Sequence, residues 1–185
     1  MSTVQRGLVY VKTHKTGGST LLNIILRMSI ALKLTCTPPA NGHLGYGCPM
    51  KLPSTLANLS MSTVFAQHVA FVPHLLERIA PKPPLLVTIM REPVSQAISA
   101  YLYPQWDHIR RAIGGTNWTD HIAKLERGVR PGLSCYLNTS QAQDMGYDHY
   151  RNIARTVAAY DLILITEEFD KSLMLFKRLL ARHGW

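Results

Sequence analysis

The sequence predicts an α/β protein in which a parallel β-sheet is flanked by helices. Four short apolar runs are rich in β-formers, and each runs into a segment with helical spacing. Strands that alternate with helices in this way form parallel sheets with right-handed crossovers. A chain of 185 residues, 46% hydrophobic and 17% charged, is long enough for one core. We therefore expect a single domain over residues 1–185.

The first two predicted strands lie in the N-terminal half of the chain, on either side of a long loop. Leu8–Val11 is the first strand, and the spacing after it predicts a helix over residues 19–32. Residues 63–67 form the second strand, and a short helix is expected after Pro73. The Pro- and Gly-rich residues 34–62 indicate a surface loop, of which residues 34–53 are a candidate cover for a substrate.

The last two predicted strands are the most apolar. Leu85–Met90 is continuously apolar, which predicts burial on both faces, and Pro93 suits the first position of a helix to about residue 103. Residues 106–150 indicate helical pieces and loops. Residues 160–165 predict a buried strand, and residues 169–185 an amphipathic helix. The apolar side of that helix consists of Leu173, Phe176, Leu179 and Leu180.

The charge of the chain indicates an anionic partner. The formal net charge is +9, but the 20 Lys and Arg residues are scattered and no run of four occurs. This scatter argues against nucleic acid and leaves a phosphorylated or sulfated small molecule as a candidate; the alternative is a surface that is basic without a specific partner. No run approaches about 18 apolar residues, so no transmembrane helix is expected, and the first seven residues lack the apolar core of a signal peptide.

The cysteines give no indication of a metal site. Cys36, Cys48 and Cys135 lack metal-ligand spacing, and we expect no metal. Cys36 and Cys48 flank the Pro/Gly-rich loop and are candidates for a disulfide in an oxidising compartment. Acceptor sequons for N-glycosylation begin at Asn58, Asn117 and Asn138, which gives weak support for a secretory location.

The stretch KTHKTGGST, residues 12–20, combines lysines, glycines and hydroxyls between the first strand and its helix. Amides and the dipole at a helix N-terminus favour an anion, and Gly17 and Gly18 allow the backbone to approach it closely. The stretch departs from the common nucleotide loop, because Lys15 precedes the glycines whereas that loop places its lysine after them. The alternative is a glycine turn with solvated lysines.

A second cationic motif follows the third predicted strand. Arg91 comes directly after that strand, and Ser99 follows eight residues later, about two helical turns on. Arginine binds phosphate through two parallel hydrogen bonds, and a serine hydroxyl can donate to the same group. The alternative is a salt-bridged Arg91 and a surface Ser99. Two anion sites at two strand ends suit a nucleotide that is phosphorylated at both ends.

These two motifs resemble those of the sulfotransferases, whose donor is 3′-phosphoadenosine 5′-phosphosulfate. The segment KTHKTGGSTLLNIILR is similar in particular to sequences of the galactose-3-O-sulfotransferase family. The segments QDMGYD (residues 143–148) and YDLILITEEFDKSLMLFKRLL resemble later blocks of that family. Because the four blocks follow in order along nearly the whole chain, the resemblance implies the P-loop-like sulfotransferase fold. It also implies an N-terminal membrane anchor and a longer C-terminal region, which residues 1–185 are expected to lack.

The resemblance assigns the donor-binding residues position by position. Lys15 matches the lysine that touches the oxygen between the sulfate and the 5′-phosphate, and is expected to be catalytic. Arg91 and Ser99 match the pair that holds the 3′-phosphate. The residues that match the loop around the 5′-phosphate are Thr16, Gly17, Gly18, Ser19 and Thr20.

Lys12, His14 and His68 complete the expected site. Lys12 and His14 fall in the same motif as Lys15. His68 follows the second predicted strand and so faces the same edge of the sheet. A histidine in the corresponding block of related carbohydrate sulfotransferases acts as the general base, which implies that role for His68; a hydrogen-bonded structural histidine is the alternative.

The function implied by the family is sulfuryl transfer to the 3-hydroxyl of galactose in a glycolipid or glycan. The implied location is the luminal side of the Golgi membrane, with membrane association only through a segment outside this chain. One alternative is a P-loop kinase or nucleotide hydrolase, which needs Mg²⁺ and a carboxylate such as those in Thr166-Glu167-Glu168. The other is a fragment that binds nucleotide without turnover.

Overall fold

The computed structural model describes residues 6–36, 63–69, 71, 80, 83–103, 141, 144–146 and 150–185. Its sheet contains four parallel strands in the spatial order β2-β1-β3-β4. The strands are β1 (Leu8–Val11), β2 (Val64–Gln67), β3 (Leu85–Met90) and β4 (Leu162–Ile165). The prediction of a parallel α/β fold is therefore confirmed.

The described helices are α1 (Gly18–Ala31), α2 (Pro93–Tyr101), α3 (Ile153–Ala158) and α4 (Phe169–Arg182), and a 3₁₀ turn (Thr166–Glu168) precedes α4. The predicted helices at α1, α2 and α4 are confirmed to within a few residues. The expected helix after Pro73, Cys48 and Cys135, and the three sequons lie outside the described residues, as does most of residues 34–62 and 106–150.

Two apolar clusters cover the two faces of the sheet because side chains alternate along each strand. On one face, Tyr10 and Val87 pack with Leu21 and Ile25 of α1 and with Phe176 of α4. On the other face lie Val9, Val11, Phe65, Phe71, Met145 and Tyr160. The predicted apolar side of α4 is confirmed, since Leu173, Leu179 and Leu180 belong to the first of these clusters or pack against it.

Strand burial follows the position of each strand in the sheet. β3 lies between β1 and β4, and its residues from Leu85 to Ile89 are all buried, as predicted. β4 is less buried than predicted: only Leu164 is fully buried, and Ile165 is 41% exposed. The physical reason is that β4 is the outermost strand on its side of the described sheet.

The strand order creates a crevice at the carboxyl edge of the sheet. The chain goes from β1 to β2 on one side and then crosses back to β3 on the other side. Ligands of parallel α/β sheets bind where the strand order reverses in this way, outside the carboxyl ends of the two central strands. The two cationic motifs follow β1 and β3, so both reach this point. Within the described ranges, no helix is long and apolar enough to cross a membrane.

Candidate active site

The loop after β1 has a backbone that is bent twice into the left-handed region. Lys15 has a φ of 60° and Gly17 a φ of 74°. Gly17 is the N-cap of α1 and provides no side-chain cap, and the first turn of α1 carries no acidic residue. Within the described part of the chain, the amides of Gly17, Gly18 and Ser19 donate to no protein acceptor. This helix terminus therefore offers N–H groups and a positive dipole end to an anion.

The two glycines of the loop are needed for different reasons. Gly17 has the left-handed φ, while a Cβ there would meet only Thr166 Cγ2, at 3.8 Å. Gly18 lacks a positive φ, but a Cβ there would lie 2.8 Å from the Tyr10 hydroxyl and 3.0 Å from Lys12 Cγ. The Tyr10 hydroxyl also donates to the Gly18 carbonyl, at 3.3 Å. Gly17 thus permits the bend, and Gly18 lets α1 approach β1.

Three threonines fix this loop to the ends of β3 and β4. The Thr13 and Thr16 hydroxyls lie 2.8 Å apart in the core, and the Thr13 hydroxyl also donates to the Ile89 carbonyl. The Thr166 hydroxyl lies 2.7 Å from the Thr16 carbonyl and 2.8 Å from the Met90 carbonyl, and can donate to either of them. The Thr16 side chain is therefore used internally, and only its backbone can face a ligand.

The two cationic motifs meet in one cavity of about 490 Å³. Its walls consist of Lys15, Arg91, Ser95, Ile98, Ser99, Leu102 and Tyr103. The Arg91 guanidinium also donates to the Lys15 carbonyl at 3.3 Å, which ties the two motifs to each other. The structure therefore brings together Lys15, Arg91 and Ser99, which the sequence separates by up to 84 positions (99 − 15).

Lys15 lies at the aromatic wall of this cavity. Its ammonium group is 3.7 Å from the centroid of the Tyr103 ring, a cation–π contact. Burial lowers the pKa of Lys15, and the charge of Arg91 lowers it further. The positive charge of the cavity is thus held at an energetic cost that an anionic ligand would relieve.

The N-terminus of α2 differs from that of α1 because its own side chain caps it. The Glu92 carboxylate accepts from Val94 N at 2.8 Å and from Ser95 N at 2.6 Å, and these bonds lower the pKa of Glu92. These amides are satisfied internally. Of the two helix termini next to the cavity, α1 is the one with amides left for a ligand.

A second group of polar side chains lies beyond the ends of β1 and β2. Lys12 Nζ is 2.6 Å from His68 Nε2, and the His68 ring stacks on the His14 ring with centroids 4.3 Å apart. The Asp144 carboxylate accepts from the His14 backbone at 2.9 Å and lies 2.8 Å from His14 Nδ1. We call Lys12, His14, His68 and Asp144 the histidine cluster.

Burial is the largest cause of the pKa shifts of Asp144 and Lys12. It raises the pKa of the nearly fully enclosed Asp144, an effect opposed by the hydrogen bonds from His14 and by the charge of Lys12. Burial also lowers the pKa of Lys12, with Asp144 acting in the opposite direction. A charged lysine only donates hydrogen bonds, so His68 Nε2 accepts from Lys12 when Lys12 is protonated.

The carboxylates that follow β4 make hydrogen bonds and an ion pair within the protein. Glu167 accepts from the Glu92 backbone at 3.1 Å, and Glu168 pairs with Lys171 at 2.6 Å. Among the residues that the structure describes, no three His, Cys, Asp or Glu side chains are grouped as metal ligands would be.

Lys15, Arg91 and Ser99, which the sequence predicts as site residues, line one cavity, but the residues that hydrogen-bond to their loops were not predicted. Ser19 and Thr20 are exposed on the first turn of α1, next to the loop. Gln96, Gln141, Asp144 and Thr166 were not predicted as site residues. The two later blocks that resemble the family contain such residues: QDMGYD contains Asp144, and YDLILITEEFDKSLMLFKRLL contains Thr166. The individual roles of the predicted residues remain predictions.

Comparison with known proteins gives one family. The family model described as galactose-3-O-sulfotransferase matches residues 2–183. The chain is 28% identical over 191 residues to Galactose-3-O-sulfotransferase 3 of Mus musculus, covering 94% of this chain and 44% of that protein. It is 27% identical over 194 residues to Galactosylceramide sulfotransferase of Homo sapiens, covering 96% of this chain and 46% of that protein.

A third relative, Galactose-3-O-sulfotransferase 2 of Homo sapiens, is 25% identical over 201 residues, covering 92% of this chain and 47% of that protein. The chain thus spans about half the length of the curated relatives it matches.

Proposed function

The chain belongs to the galactose-3-O-sulfotransferase family, and from that premise we propose that it transfers a sulfuryl group from 3′-phosphoadenosine 5′-phosphosulfate to a galactose hydroxyl. The observation that carries the proposal is the meeting of Lys15, Arg91 and Ser99 in one cavity beside the uncapped N-terminus of α1. A ligand that is anionic at both ends matches two cationic positions that lie on different strand ends.

The lining of the cavity suits such a donor. A volume of about 490 Å³ lies within the range of about 300–1,000 Å³ that is usual for small-molecule sites. Its charged members, Lys15 and Arg91, are both cations, Ser95 and Ser99 add hydroxyls, and Ile98 and Leu102 supply apolar surface. The amides of Gly17, Gly18 and Ser19 add donors for a phosphate group.

We propose the donor-binding roles that the family resemblance implies, and this arrangement supports them. The loop amides bind the 5′-phosphate, and Arg91 and Ser99 bind the 3′-phosphate. Lys15 neutralises the charge that develops on the leaving oxygen, which is the kind of electrostatic stabilisation that contributes most to such transfers. The donor supplies an activated sulfur: its bond to the 5′-phosphate oxygen breaks as the bond to the acceptor oxygen forms.

The histidine cluster is the proposed acceptor side. The galactose hydroxyl must lose its proton, and we assign its removal to His68 Nε2, which lies at the carboxyl edge of the sheet with Lys12. Lys12 Nζ donates to this atom in the present geometry. Turning the ammonium toward the transferring group would expose Nε2 to the hydroxyl and add positive charge where it is needed. The His14 ring stacks on His68, and the Asp144 carboxylate in turn holds His14.

The acceptor that we propose is the 3-hydroxyl of galactose in a glycolipid or glycan. The support is the family description together with the names of the relatives, one of which specifies galactosylceramide. The same family membership supports a location on the luminal side of the Golgi membrane.

The donor assignment is tested by thermal melting of the chain with ligands. Adenosine 3′,5′-bisphosphate should raise the melting temperature more than ATP or GTP, because only it carries a 3′-phosphate for Arg91 and Ser99. An equal shift with ATP, or no shift with the bisphosphate, would contradict the assignment. Labelled donor offered with a panel of galactosides then identifies the acceptor, with Lys15→Ala as the variant expected to abolish transfer.

A further inference from the structure

The backbone of Arg91 is held by a single side-chain amide. β3 ends at Met90, and the next residue pairs with Gln141. Arg91 N donates to Gln141 Oε1 at 2.8 Å, and Gln141 Nε2 donates to the Arg91 carbonyl at 3.0 Å. One amide thus satisfies both backbone groups, as a neighbouring strand would. Gln141 fixes the orientation of the peptide from which the Arg91 side chain projects into the cavity.

The same amide continues to the loop that carries Lys15. Gln141 Nε2 also donates to Gln96 Oε1 at 2.9 Å, and Gln96 Nε2 donates to the His14 carbonyl at 2.8 Å. Both glutamine side chains are buried, with exposures of 6% for Gln141 and 8% for Gln96. Two side-chain amides in series therefore join the backbone beside Arg91 to the backbone beside Lys15.

We propose that Gln141 and Gln96 are positioning residues that set the distance between the two anion-binding positions, and thereby the selectivity of the site for a 3′-phosphate. The inference rests on the proposed function, since it takes the ligand to be a nucleotide with phosphate at both ends. Each amide both donates and accepts, so neither can shift along the series without breaking a bond.

An apolar side chain of similar volume cannot replace these amides. With methionine at position 141, the N–H and C=O groups of Arg91 would lose their partners in a buried environment, which a protein relieves by rotating the peptide or admitting water. Either change moves the guanidinium relative to the Lys15 loop. A displacement of about 1 Å is enough to change binding and catalysis many-fold when two groups must be contacted at once.

The experiment compares two ligands by calorimetry: adenosine 3′,5′-bisphosphate and adenosine 5′-monophosphate. The ratio of their dissociation constants measures the contribution of the 3′-phosphate, about tenfold or more for a charged hydrogen-bonded contact. We expect Gln141→Met and Gln96→Met to reduce this ratio by about tenfold while the affinity for the monophosphate changes less than about threefold. The matched control is Gln67→Met, since Gln67 is also buried and its side-chain Oε1 accepts no hydrogen bond within the described part of the chain.

Each outcome decides a different point. If the unsubstituted chain does not prefer the bisphosphate, the proposed function fails. If it does prefer the bisphosphate and the folded Gln141→Met and Gln96→Met variants keep the full ratio, the positioning role is overturned. Equal loss for both ligands would also overturn it, because that is the result of general destabilisation. Melting curves show which variants fold. If Gln141→Met does not fold, Gln96→Met alone tests the positioning role.

Discussion

Replacing Lys15 by glycine and, separately, by alanine tests whether the loop after β1 holds Lys15 in a strained backbone conformation. Lys15 has a φ of 60°, in the left-handed region that residues with a Cβ avoid. Both substitutions remove the ammonium group and its contact with Tyr103. The two variants therefore differ only in the free-energy cost of holding the backbone at position 15 in the left-handed conformation.

The expected difference follows from two opposing effects. A residue with a Cβ pays roughly 1–2 kcal/mol for the left-handed conformation, and glycine does not. Glycine loses more backbone freedom on folding, which costs it roughly 0.5–1 kcal/mol relative to alanine. Lys15→Gly should therefore have a free energy of unfolding roughly 0.8 kcal/mol above that of Lys15→Ala, which is the difference of the mid-range values of these two costs. For a chain of this size, that is about 1–4 °C in melting temperature.

The assay is thermal melting monitored by circular dichroism, with a matched pair at Asn23. Asn23 is exposed within α1 and donates to the Ser19 carbonyl, a bond that both substitutions remove. In this helix, the free energy of unfolding of Asn23→Ala should exceed that of Asn23→Gly by about 1 kcal/mol. The order of alanine and glycine is therefore the reverse of that expected at Lys15. If Lys15→Ala melts at or above Lys15→Gly while the Asn23 pair behaves as expected, the claim of strain is wrong. Both Lys15 variants should lose sulfuryl transfer alike.

The charges and proton-transfer groups of the site give three more expected outcomes. Affinity for adenosine 3′,5′-bisphosphate should fall as pH rises through the pKa of Lys15, because deprotonation removes the positive charge that attracts the ligand. Burial and the charge of Arg91 lower this pKa below the ordinary value of 10.5. Calorimetry on Lys15→Arg should show the fall only at higher pH, and identical profiles would contradict this. His68→Ala should slow transfer about 10²–10⁴-fold while keeping the melting shift with the bisphosphate; loss of the shift would assign His68 to donor binding instead. Transfer rates should be unchanged by a chelator, and a loss that Mg²⁺ restores would favour a phosphoryl-transfer enzyme.

The strands and helices of this fold were predictable because their signals are local. β1 and β3 have the predicted bounds, since an apolar run bounded by polar residues is visible within a few positions. The burial of β4 was overestimated for the opposite reason. The sequence LILI of β4 is as apolar as that of a central strand. Its exposure, however, depends on which strands lie beside it in the sheet, and these four residues do not predict the strand order.

The residues of the candidate site also differ in whether the sequence could predict them. Lys15, Arg91 and Ser99 were predictable as neighbours because parallel strands end at one edge of a sheet. Gln141 and Asp144 were not, because each acts across a long separation: 50 residues to Arg91 and 130 residues to His14. A glutamine that pairs with a distant backbone has the same local sequence as one on the surface. Only the folded chain distinguishes them.

The long separations within the site have a consequence for how the protein folds. The Thr16–Thr166 bond joins residues 150 positions apart, and the His14–Asp144 bond joins residues 130 apart. Such contacts close large loops, so they form late and make folding slow compared with that of helical bundles. The loop after β1 is thus synthesised before the residues that fix it, and it is among the last segments to reach its native geometry. We therefore expect a newly made chain to acquire the proposed affinity for adenosine 3′,5′-bisphosphate only when folding is complete, so that retention of this ligand measures correctly folded protein.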